Sequence, residues 1–449
     1  MNQSKTISGF SKLSKIGKVK WLVENFFKDP ETVMHELKSY WLQDAKQQEV
    51  LDGISENTIS NFPLPLGVVP NFVLNQKTYC VPMVIEESSV VAAASSAAKY
   101  WMDRGGIKAE VIGVKKIGQV HFYWGGGYKR LNYLFPFIQS KLIQDVETIM
   151  SSMQNRGGGL LSLSLKSFDD IEPGLYQLFA EFDTRDSMGA NFINTVLEQF
   201  ALSLQSFFEQ SSELKESERE VEVIMSILSN YTPDCLVKAW VECEIEQLGS
   251  FPGDMDSSTF AERFAHAIHI AIVDPYRATT HNKGIYNGID AVALATGNDF
   301  RSIEACGHTY ASRDGQYRSL SNCSLENGIF KFWLKIPLAV GTVGGLTALH
   351  PMAKRSLELL GNPDARELMM VIAATGLIQN FAAVRSLVTT GIQQGHMKMH
   401  LSNILTQLNA TDHEKKIVNT YFEDKTVSMQ GVRNYIDQMR KGKTGLLNH

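Results

Sequence analysis

Residues 274–299 read DPYRATTHNKGIYNGIDAVALATGND, a short stretch with many groups able to hold anions and carbonyls. These side chains are Asp274, Arg277, Lys283, Asn287, Asn298 and Asp299, with Gly284, Gly288 and Gly297 between them. Glycine lets backbone approach a ligand closely, and a packed core would not tolerate so many unpaired polar groups. The stretch therefore predicts a polar pocket around a polarisable oxygen, with Lys283 as its cation, unless the charges form only a structural ion-pair network.

The size and composition of the chain are those of an ordinary globular protein. Its 449 residues are 44% hydrophobic and 20% charged, and at roughly 100–200 residues per domain they form two to four domains. The net charge of −5 argues against a nucleic-acid partner. No apolar run reaches the length of a membrane span, and the N-terminus lacks the apolar core of a secretory signal. We expect a cytoplasmic protein without a membrane partner.

Cysteines and the N-terminal lysines give weaker signals. The five cysteines include no CxxC pair, which favours free thiols in a reducing compartment over a disulfide framework or a zinc site. Residues 5–20 carry five lysines and no acid. That pattern fits a solvated helix face, or a lysine that reaches a ligand phosphate, better than a transit peptide or a membrane-surface helix.

The pattern of apolar residues predicts an α+β protein. Residues 15–55 look helical, and residues 62–85 read as short strands and turns. A buried helix of small residues follows, capped by Ser88 or Ser89 and ended by glycines. Residues 107–225 alternate between strand and helix patterns and predict a smaller α+β unit inserted into the larger domain. Helices are predicted at 259–273 and from about 366 towards the C-terminus.

DTRDSMGAN (183–191) follows a predicted strand and opens a predicted helix. This geometry directs free N–H groups at an anion, so the segment is either a dinucleotide-binding turn or an ordinary Asp/Ser helix cap. It does not match GxGxxG, so a Rossmann fold is not predicted. The triple glycines at 125–127 and 157–159 fit flexible hairpin tips better than phosphate cradles.

The histidines leave several alternatives open. His396 and His400 share one face of a predicted helix, but the Glu of a zinc protease is replaced by Met397, which argues against a metal. A single histidine acting as an acid on a mobile segment remains open. His266 and His269, in AERFAHAIHIA, are predicted to be helix-packing residues and not ligands. His281 is either a packing residue or part of the site.

Two adjacent acids, Glu86 and Glu87, precede the small-residue helix. Exposed at a helix N-terminus, they would only favour the helix dipole. If Glu87 were buried beside Lys283, it would hold a proton near neutral pH, as a general acid needs. The residues alone do not place Glu87 and Lys283 together.

Several long motifs resemble hydroxymethylglutaryl-coenzyme A (HMG-CoA) reductase in its soluble class II form. The resemblance covers about residues 55–405, with a weaker match near ISGFSKLS. The motifs are ENTISNFPLPLGV (56–68), VPMVIEESSVVAAAS (81–95), DTRDSMGANFINT (183–195), LSN (228–230), the stretch 274–299, PLAVGTVGG (337–345), LHP (349–351) and GIQQGHMKMH (391–400).

The resemblance implies reduction of HMG-CoA to mevalonate with release of coenzyme A, using two reduced nicotinamide cofactors in turn. Lys283 matches the family's catalytic lysine, which stabilises charge on the carbonyl oxygen. Asp299 matches the catalytic aspartate and would pair with Lys283. Glu87 matches the glutamate that donates a proton during mevaldehyde reduction. His396 matches the acid that protonates the departing thiolate.

Further roles come from the same resemblance. Substrate contacts are implied for Ser89, Arg277, Asn287 and Asn230, and cofactor contacts for Asp186, Met188, Gly189, Ala190 and Asn191. The implied fold has a large substrate-binding, catalytic and dimerisation domain around a buried central helix (1–113 and 227–390). It also has an inserted ferredoxin-like NAD(P)-binding domain (114–226) and a helical C-terminal flap (391–449). The implied assembly is a homodimer with active sites at its interface, or a larger oligomer built from it.

Three positions depart from the family pattern. Ser88 replaces a proline after the paired acids, which helix entry tolerates because serine caps well. Ser11 replaces an arginine that contacts coenzyme A, and we expect Lys12 to bind phosphate in its place. Met150, followed by Ser151, replaces an aspartate that favours NADH. We therefore expect NADPH as the preferred cofactor, with NADH as the alternative and with Lys141 or Arg156 helping.

Two other functions remain open at this point. The same chemistry run backward would oxidise mevalonate for catabolism, and an NADH preference would favour it. A non-catalytic coenzyme A- or nucleotide-binding protein could share the fold, but a pure binder gains nothing from the set Glu87, Lys283, Asp299 and His396.

Overall fold

A computed structural model describes residues 5–389, 391, 401–402, 404–422, 425 and 427–444. The first segment forms three helices, α1 (Lys15–Phe26), α2 (Pro30–Ser39) and α3 (Ala45–Asp52). Each helix begins at a residue whose side-chain oxygen accepts from a backbone N–H of the first turn: Ser14, Asp29 and Asp44. An ion pair of 2.6 Å between Lys15 Nζ and Asp52 Oδ1 ties α1 to α3.

A hairpin and the small-residue helix follow. The hairpin consists of β1 (Leu66–Leu74) and β2 (Lys77–Val84), and the helix is α4 (Val90–Met102). Buried Ala94, Ala97 and Ala98 let α4 pack closely on its neighbours, as the composition predicts. The predicted serine cap is wrong, because Ser89 stands at the N-cap position with φ 73° and its side chain bonds no N–H of the first turn.

The inserted unit is a four-stranded antiparallel sheet covered by helices on one face. Its elements in chain order are β4 (Lys116–Trp124), α5 (Tyr128–Asp145), α6 (Glu147–Gln154), β5 (Gly159–Ser167), β6 (Leu175–Asp183), α7 (Ala190–Gln210) and β7 (Val221–Ser229). The strand order β5-β6-β4-β7 is that of a ferredoxin-like fold, in which the first and third strands occupy the centre. The unit has its own hydrophobic core.

The triple glycines are not hairpin tips. Residues 125–127 join β4 to α5, and residues 157–159 join α6 to β5. Gly127 and Gly157 have φ values of 79° and 80°, so glycine is needed there to turn the chain between strand and helix.

The larger domain packs helices against a second antiparallel sheet, of order β3-β8-β10-β9. Its remaining elements are β3 (Lys108–Val111), β8 (Leu236–Glu244), α8 (Ser257–Val273), α9 (Pro275–Ala295), α10 (Phe300–Ala311), β9 (Ser321–Glu326), β10 (Ile329–Pro337), α11 (Gly345–Leu349), α12 (Pro351–Leu359) and α13 (Ala365–Val388). His266 and His269 lie on the exposed face of α8, so the prediction that they pack in the interior is wrong.

Helix α13 is the buried centre of the larger domain. Among the described residues it is the one helix long and apolar enough to cross a membrane, and 83% of its apolar window is buried inside the protein. It crosses α9 at two glycines. A Cβ on Gly288 would meet Thr375 O at 2.8 Å, and one on Gly376 would meet Ile289 Cγ1 at 2.7 Å, so these glycines serve helix packing.

The described C-terminal residues contain α14 (Asp412–Tyr421) and α15 (Met429–Thr444). A small core of their own joins them, including Leu401, Ile404, Val418 and Ile436. The predicted histidine pair, His396 and His400, falls outside the described residues.

Candidate active site

Helix α9 carries the polar groups of the stretch 274–299. Asp274 caps the helix through a 2.9 Å bond from Tyr276 N, and Pro275 occupies its first position. Lys283 and Asn287 are four residues apart and therefore share one face. The predicted polar pocket is thus built on a helix, with its charges held at fixed spacing.

Glu87 is the partner of Lys283. The Lys283 ammonium donates to Glu87 Oε2, and Asn287 Nδ2 lies 3.4 Å from the same oxygen. The structure therefore brings together two acid–base groups that are 196 residues apart in the chain. Neither is buried, because the side chains of Lys283 and Glu87 are 59% and 37% exposed. The pair stands at the mouth of a cavity.

That cavity has a volume of about 420 Å³ and lies between α4, α9 and α13. Predicted substrate residues that line it are Ser89, Arg277 and Asn287, beside Glu87 and Lys283. The Ser89 hydroxyl is buried and has no hydrogen-bond partner among the described residues. Half-burial lowers the pKa of Arg277, and no described carboxylate pairs with it. The cavity thus offers a cation and a hydroxyl to a polar ligand.

A buried hydrogen-bond chain forms one wall of the cavity. His281 Nε2 lies 2.6 Å from Ser321 Oγ, and Ser321 Oγ donates to Asn380 Oδ1 at 2.9 Å. Since the serine proton is used on Asn380, the His281 ring donates through Nε2, and its Nδ1 has no partner in the described chain. Burial lowers the pKa of His281 to about 3, so the ring is neutral and fixes the wall.

Sequence reasoning missed the contribution of α13. Gln379 and Asn380 line the cavity from this helix, and Gln379 Oε1 is buried without a described partner. The sequence feature that could have revealed them is two adjacent amide side chains inside an otherwise apolar helix. A buried core tolerates amide groups only when they are hydrogen-bonded.

The turn at 183–191 lies on a second cavity, of about 440 Å³. Its wall includes Met188, Gly189, Ala190 and Asn191, as predicted for a dinucleotide turn, and its far side is formed by residues 341–347 of the larger domain. The first N–H groups of α7 have no partner within the helix. Gly189 has φ 91°, and a Cβ there would meet Thr184 Cγ2 at 2.4 Å. The cavity therefore fits a phosphate-bearing ligand.

Comparisons with known proteins agree with this geometry. Residues 22–401 match the family model for hydroxymethylglutaryl-coenzyme A reductase. The chain belongs to that family. The 3-hydroxy-3-methylglutaryl-coenzyme A reductase of Archaeoglobus fulgidus is 35% identical over 444 residues, which cover 97% of this chain and 95% of the relative. The class II reductase of Streptococcus pneumoniae, bound to NADPH in open conformations, is 37% identical with a TM-score of 0.70, over 92% of this chain and 100% of that one.

Asp299, the aspartate expected to pair with Lys283, does not contact it within the described chain. Residues 283–295 of α9 alone rise about 18 Å, and Asp299 lies beyond that end of the helix. Its Oδ1 accepts from Ser302 N at 3.2 Å as the cap of α10 and lies 3.6 Å from Arg301 Nε. The expected pairing is therefore absent from the single subunit.

Asn230 lies with Asp299 instead of with Lys283. Ser302 Oγ donates to Asn230 Oδ1 at 3.1 Å, and a small cavity there also touches Met188 and Ala190. The polar residues of this reductase thus form two groups, one around Lys283 and one around Asp299 and the turn 183–191.

Asp186 lies in the turn 183–191 and also ties this turn to the larger domain. Its Oδ1 accepts from Ala365 N at 2.9 Å, and its carbonyl accepts from Thr342 N at 2.8 Å. The carboxylate therefore accepts a hydrogen bond from the first residue of α13. Asp186 does not line the 440 Å³ cavity.

Met150 does not face the 440 Å³ cavity. It is 4% exposed and packs in the core of the small domain, because it lies on the inner side of α6. The neighbouring Ser151 is exposed and donates to Thr148 O. The charged side chain that lines the cavity near α6 is Arg156, in the turn that follows this helix, whereas Lys141 pairs with Asp145 at 3.0 Å.

Of the remaining expected residues, Lys12 does not reach either cavity of its own chain. Lys12 is exposed at the end of the short turn Phe10–Lys12 and lines neither cavity. His396 lies outside the described residues. In the described chain, no group of three or more His, Cys, Asp or Glu is arranged to hold a metal ion.

A cluster of carboxyl groups on α9, α10 and the segment before α4 was not foreseen. Burial raises the pKa of Asp290 to about 8, helped by the adjacent carboxyl group of Glu304 and by the charge of Glu86. Asp290 is one turn beyond Tyr286 on α9. The cluster therefore keeps Asp290 largely protonated at neutral pH.

Proposed function

We propose that this protein reduces HMG-CoA to mevalonate and coenzyme A with two molecules of NADPH, in the cytoplasm and as a step of isoprenoid synthesis. The observation that carries the proposal is the contact between Lys283 and Glu87 at the mouth of a cavity. A family whose reaction develops charge on a carbonyl oxygen and then protonates it needs a cation and an acid side by side.

Lys283 would act on both reductions. When bound, NADPH supplies the hydride, and negative charge then develops on the substrate oxygen. An ammonium already fixed by Glu87 and close to Asn287 needs little reorganisation to stabilise that charge. Glu87 is within reach of the same oxygen and would donate the proton in the reduction of mevaldehyde.

Arg277 and Ser89 would hold the carboxylate end of the acyl group. A half-buried arginine without a described carboxylate partner lacks a counter-ion, and the acyl carboxylate of HMG-CoA supplies one. The unpartnered Ser89 hydroxyl in the same cavity would add a hydrogen bond. His396 would protonate the thiolate of coenzyme A, and Lys12 would contact its phosphates.

The complete site would require two subunits. Lys283 and Asp299 belong to different groups of the chain, so a homodimer in which Asp299 of the partner subunit meets Lys283 would restore the expected ion pair. Asn230 and the cofactor turn would come with that aspartate. This arrangement explains why the site residues form two separate groups in a single subunit, and it is compatible with a higher oligomer of dimers.

NADPH is the proposed cofactor because the turn after α6 brings a positive charge to the second cavity. Arg156 lines this cavity and would bind a 2′-phosphate, for which guanidinium geometry is well suited. The division into a large domain (1–113 and 227–390), a cofactor domain (114–226) and a closing flap (391–449) belongs to the same proposal.

The test is a stoichiometric assay with HMG-CoA and either NADPH or NADH. Oxidation of two cofactors per coenzyme A released, faster with NADPH, is the expected result. Faster reaction with NADH, especially in the direction of mevalonate oxidation, would instead favour a catabolic enzyme. No turnover with either cofactor in folded dimeric protein would sink the reductase proposal and favour a non-catalytic binder.

A further inference from the structure

A buried lysine lies beneath the turn 183–191. Lys116, the first residue of β4, is 5% exposed. Its ammonium donates to Thr184 Oγ1 at 2.7 Å, to Ser187 O at 2.8 Å and to Met188 O at 3.0 Å. All three protons of the ammonium are therefore used on one turn. Burying an ammonium is costly unless it is fully hydrogen-bonded, so this arrangement specifies the shape of the turn.

The turn is also braced by its own bonds and by the larger domain. Thr184 Oγ1 donates to Ser187 O at 2.7 Å, and Ser187 Oγ donates to Thr184 O at 3.0 Å. The backbone at Met188 is so close to Gly341 that a Cβ on this glycine would lie 2.4 Å from Met188 N. Lys116 thus adds three hydrogen bonds to those that the turn's own groups and the larger domain provide.

The direction of the bonded carbonyls matters for the cavity. Ser187 O and Met188 O point at Lys116 and hence away from a ligand that rests on the start of α7. The N–H groups at the start of α7, from Gly189 onward, lie in the wall of the 440 Å³ cavity and have no partner within the helix. The ammonium also places a positive charge behind a helix N-terminus that already favours anions.

We propose that Lys116 is a positioning residue for the cofactor: it shapes the turn 184–189 and adds positive potential, so that the start of α7 binds the phosphates of a dinucleotide. The inference rests on the proposed function in taking the cofactor to be a nicotinamide dinucleotide. The carboxylates of Asp183 and Asp186 partly offset the positive potential of Lys116. Burial lowers the pKa of Lys116, while Cys235, Asp183 and Asp186 act in the opposite direction.

The test is Lys116→Met compared with Lys115→Met. The adjacent Lys115 is 44% exposed and pairs with Glu181 on the surface of the same domain, so the second variant makes the same chemical change away from the turn. NADPH binding to the free enzyme is measured by titration of cofactor fluorescence, and kinetic constants are measured separately. We expect the dissociation constant and KM for NADPH to rise about ten-fold or more in Lys116→Met, with KM for HMG-CoA within about two-fold and Lys115→Met unchanged.

A folded Lys116→Met protein that binds NADPH as tightly as Lys115→Met overturns the inference. If Lys116→Met does not fold, Thr184→Val and Thr184→Ser decide, because only serine keeps the hydroxyl that Lys116 bonds. Weaker NADPH binding by the valine variant alone supports the inference, and equal binding by both contradicts it. Wild type that binds NADPH but does not turn over HMG-CoA would remove the proposed function and leave the inference standing; wild type that binds no NADPH would remove the inference.

Discussion

The ammonium of Lys283 is more than half exposed, so its contribution to stability is small and its contribution to chemistry can be measured separately. A surface ion pair contributes about 0–1 kcal/mol. The same cation placed against a developing oxyanion accelerates a reaction by about two to three orders of magnitude. A substitution at this position should therefore change activity without changing the fold.

We predict that Lys283→Met loses both half-reactions. Turnover of HMG-CoA and of mevaldehyde should each fall by about a hundred-fold or more, while the thermal unfolding temperature changes little. Lys20→Met, which removes a cation that is 65% exposed and paired with Glu24 on the surface of α1, serves as the control for loss of surface charge. Mevaldehyde reduction that survives in Lys283→Met would contradict the role of Lys283 at the oxygen.

Asp290 gives the protein a specific pH dependence. Its pKa is raised from 3.8 to about 8 in the folded protein. The stabilising effect of its bound proton is therefore complete below about pH 4 and is lost as the pH rises through 8. The groups that act on it are Glu304 of α10 and Glu86 before α4.

We predict that Asp290→Asn removes the loss of stability that wild type shows as the pH rises. The amide can keep a hydrogen bond to Glu304 and carries no charge, so the variant should unfold at nearly the same temperature as wild type at pH 4, gain on wild type as the pH rises from 4 to 8, and unfold about 2–5 °C higher at pH 9. Scanning calorimetry across this range measures the difference, with exposed Asp170→Asn as the control. An Asp290→Asn curve parallel to that of wild type would show that Asp290 is not the titrating group.

The helices α9 and α13 position the catalytic face by packing closely at glycines. Sequence reasoning gave Gly288 a role in approaching a ligand, whereas the structure uses it to admit Thr375 and Gln379 of α13. A glycine that faces a ligand and one that faces a helix have the same local pattern, since only the partner element distinguishes them. Gly284, one turn earlier, does line the cavity.

We predict opposite effects for alanine at these two positions. In Gly288→Ala the new methyl would meet Thr375 O at 2.8 Å, so the free energy of unfolding should fall by about 1–3 kcal/mol. In Gly284→Ala the nearest atom would be 4.0 Å away, and the higher helix propensity of alanine should add up to about 1 kcal/mol. Denaturant unfolding of both variants measures the contrast. Equal destabilisation would mean that the close contact between α9 and α13 does not control stability.

Across the whole molecule, the two-domain organisation was predictable because strand and helix periods differ clearly along the chain. Grouping Glu87 with Lys283 required the family resemblance, since no local pattern links residues 196 positions apart. The inward turn of Met150 and the buried position of Lys116 could not be predicted. A methionine on an amphipathic helix fits a core or a cavity equally well, and a lysine at the start of a strand is ordinarily exposed.

The separation of Lys283 from Asp299 makes the assembly of the site testable. If each site combines Lys283 of one subunit with Asp299 of the partner subunit, Lys283→Met and Asp299→Asn homodimers are both inactive. A mixed dimer would then contain one site with both changes and one site with neither.

We predict that subunit exchange between the two inactive variants restores about a quarter of wild-type activity, because half of the dimers are mixed and half of their sites are intact. Differently tagged chains, exchanged and purified as mixed dimers, should reach about half of wild-type activity. Two Lys283→Met preparations exchanged in the same way provide the control. Mixed dimers with no activity would mean that both groups act within one chain, which a single subunit could achieve only by rearranging α9 and α10.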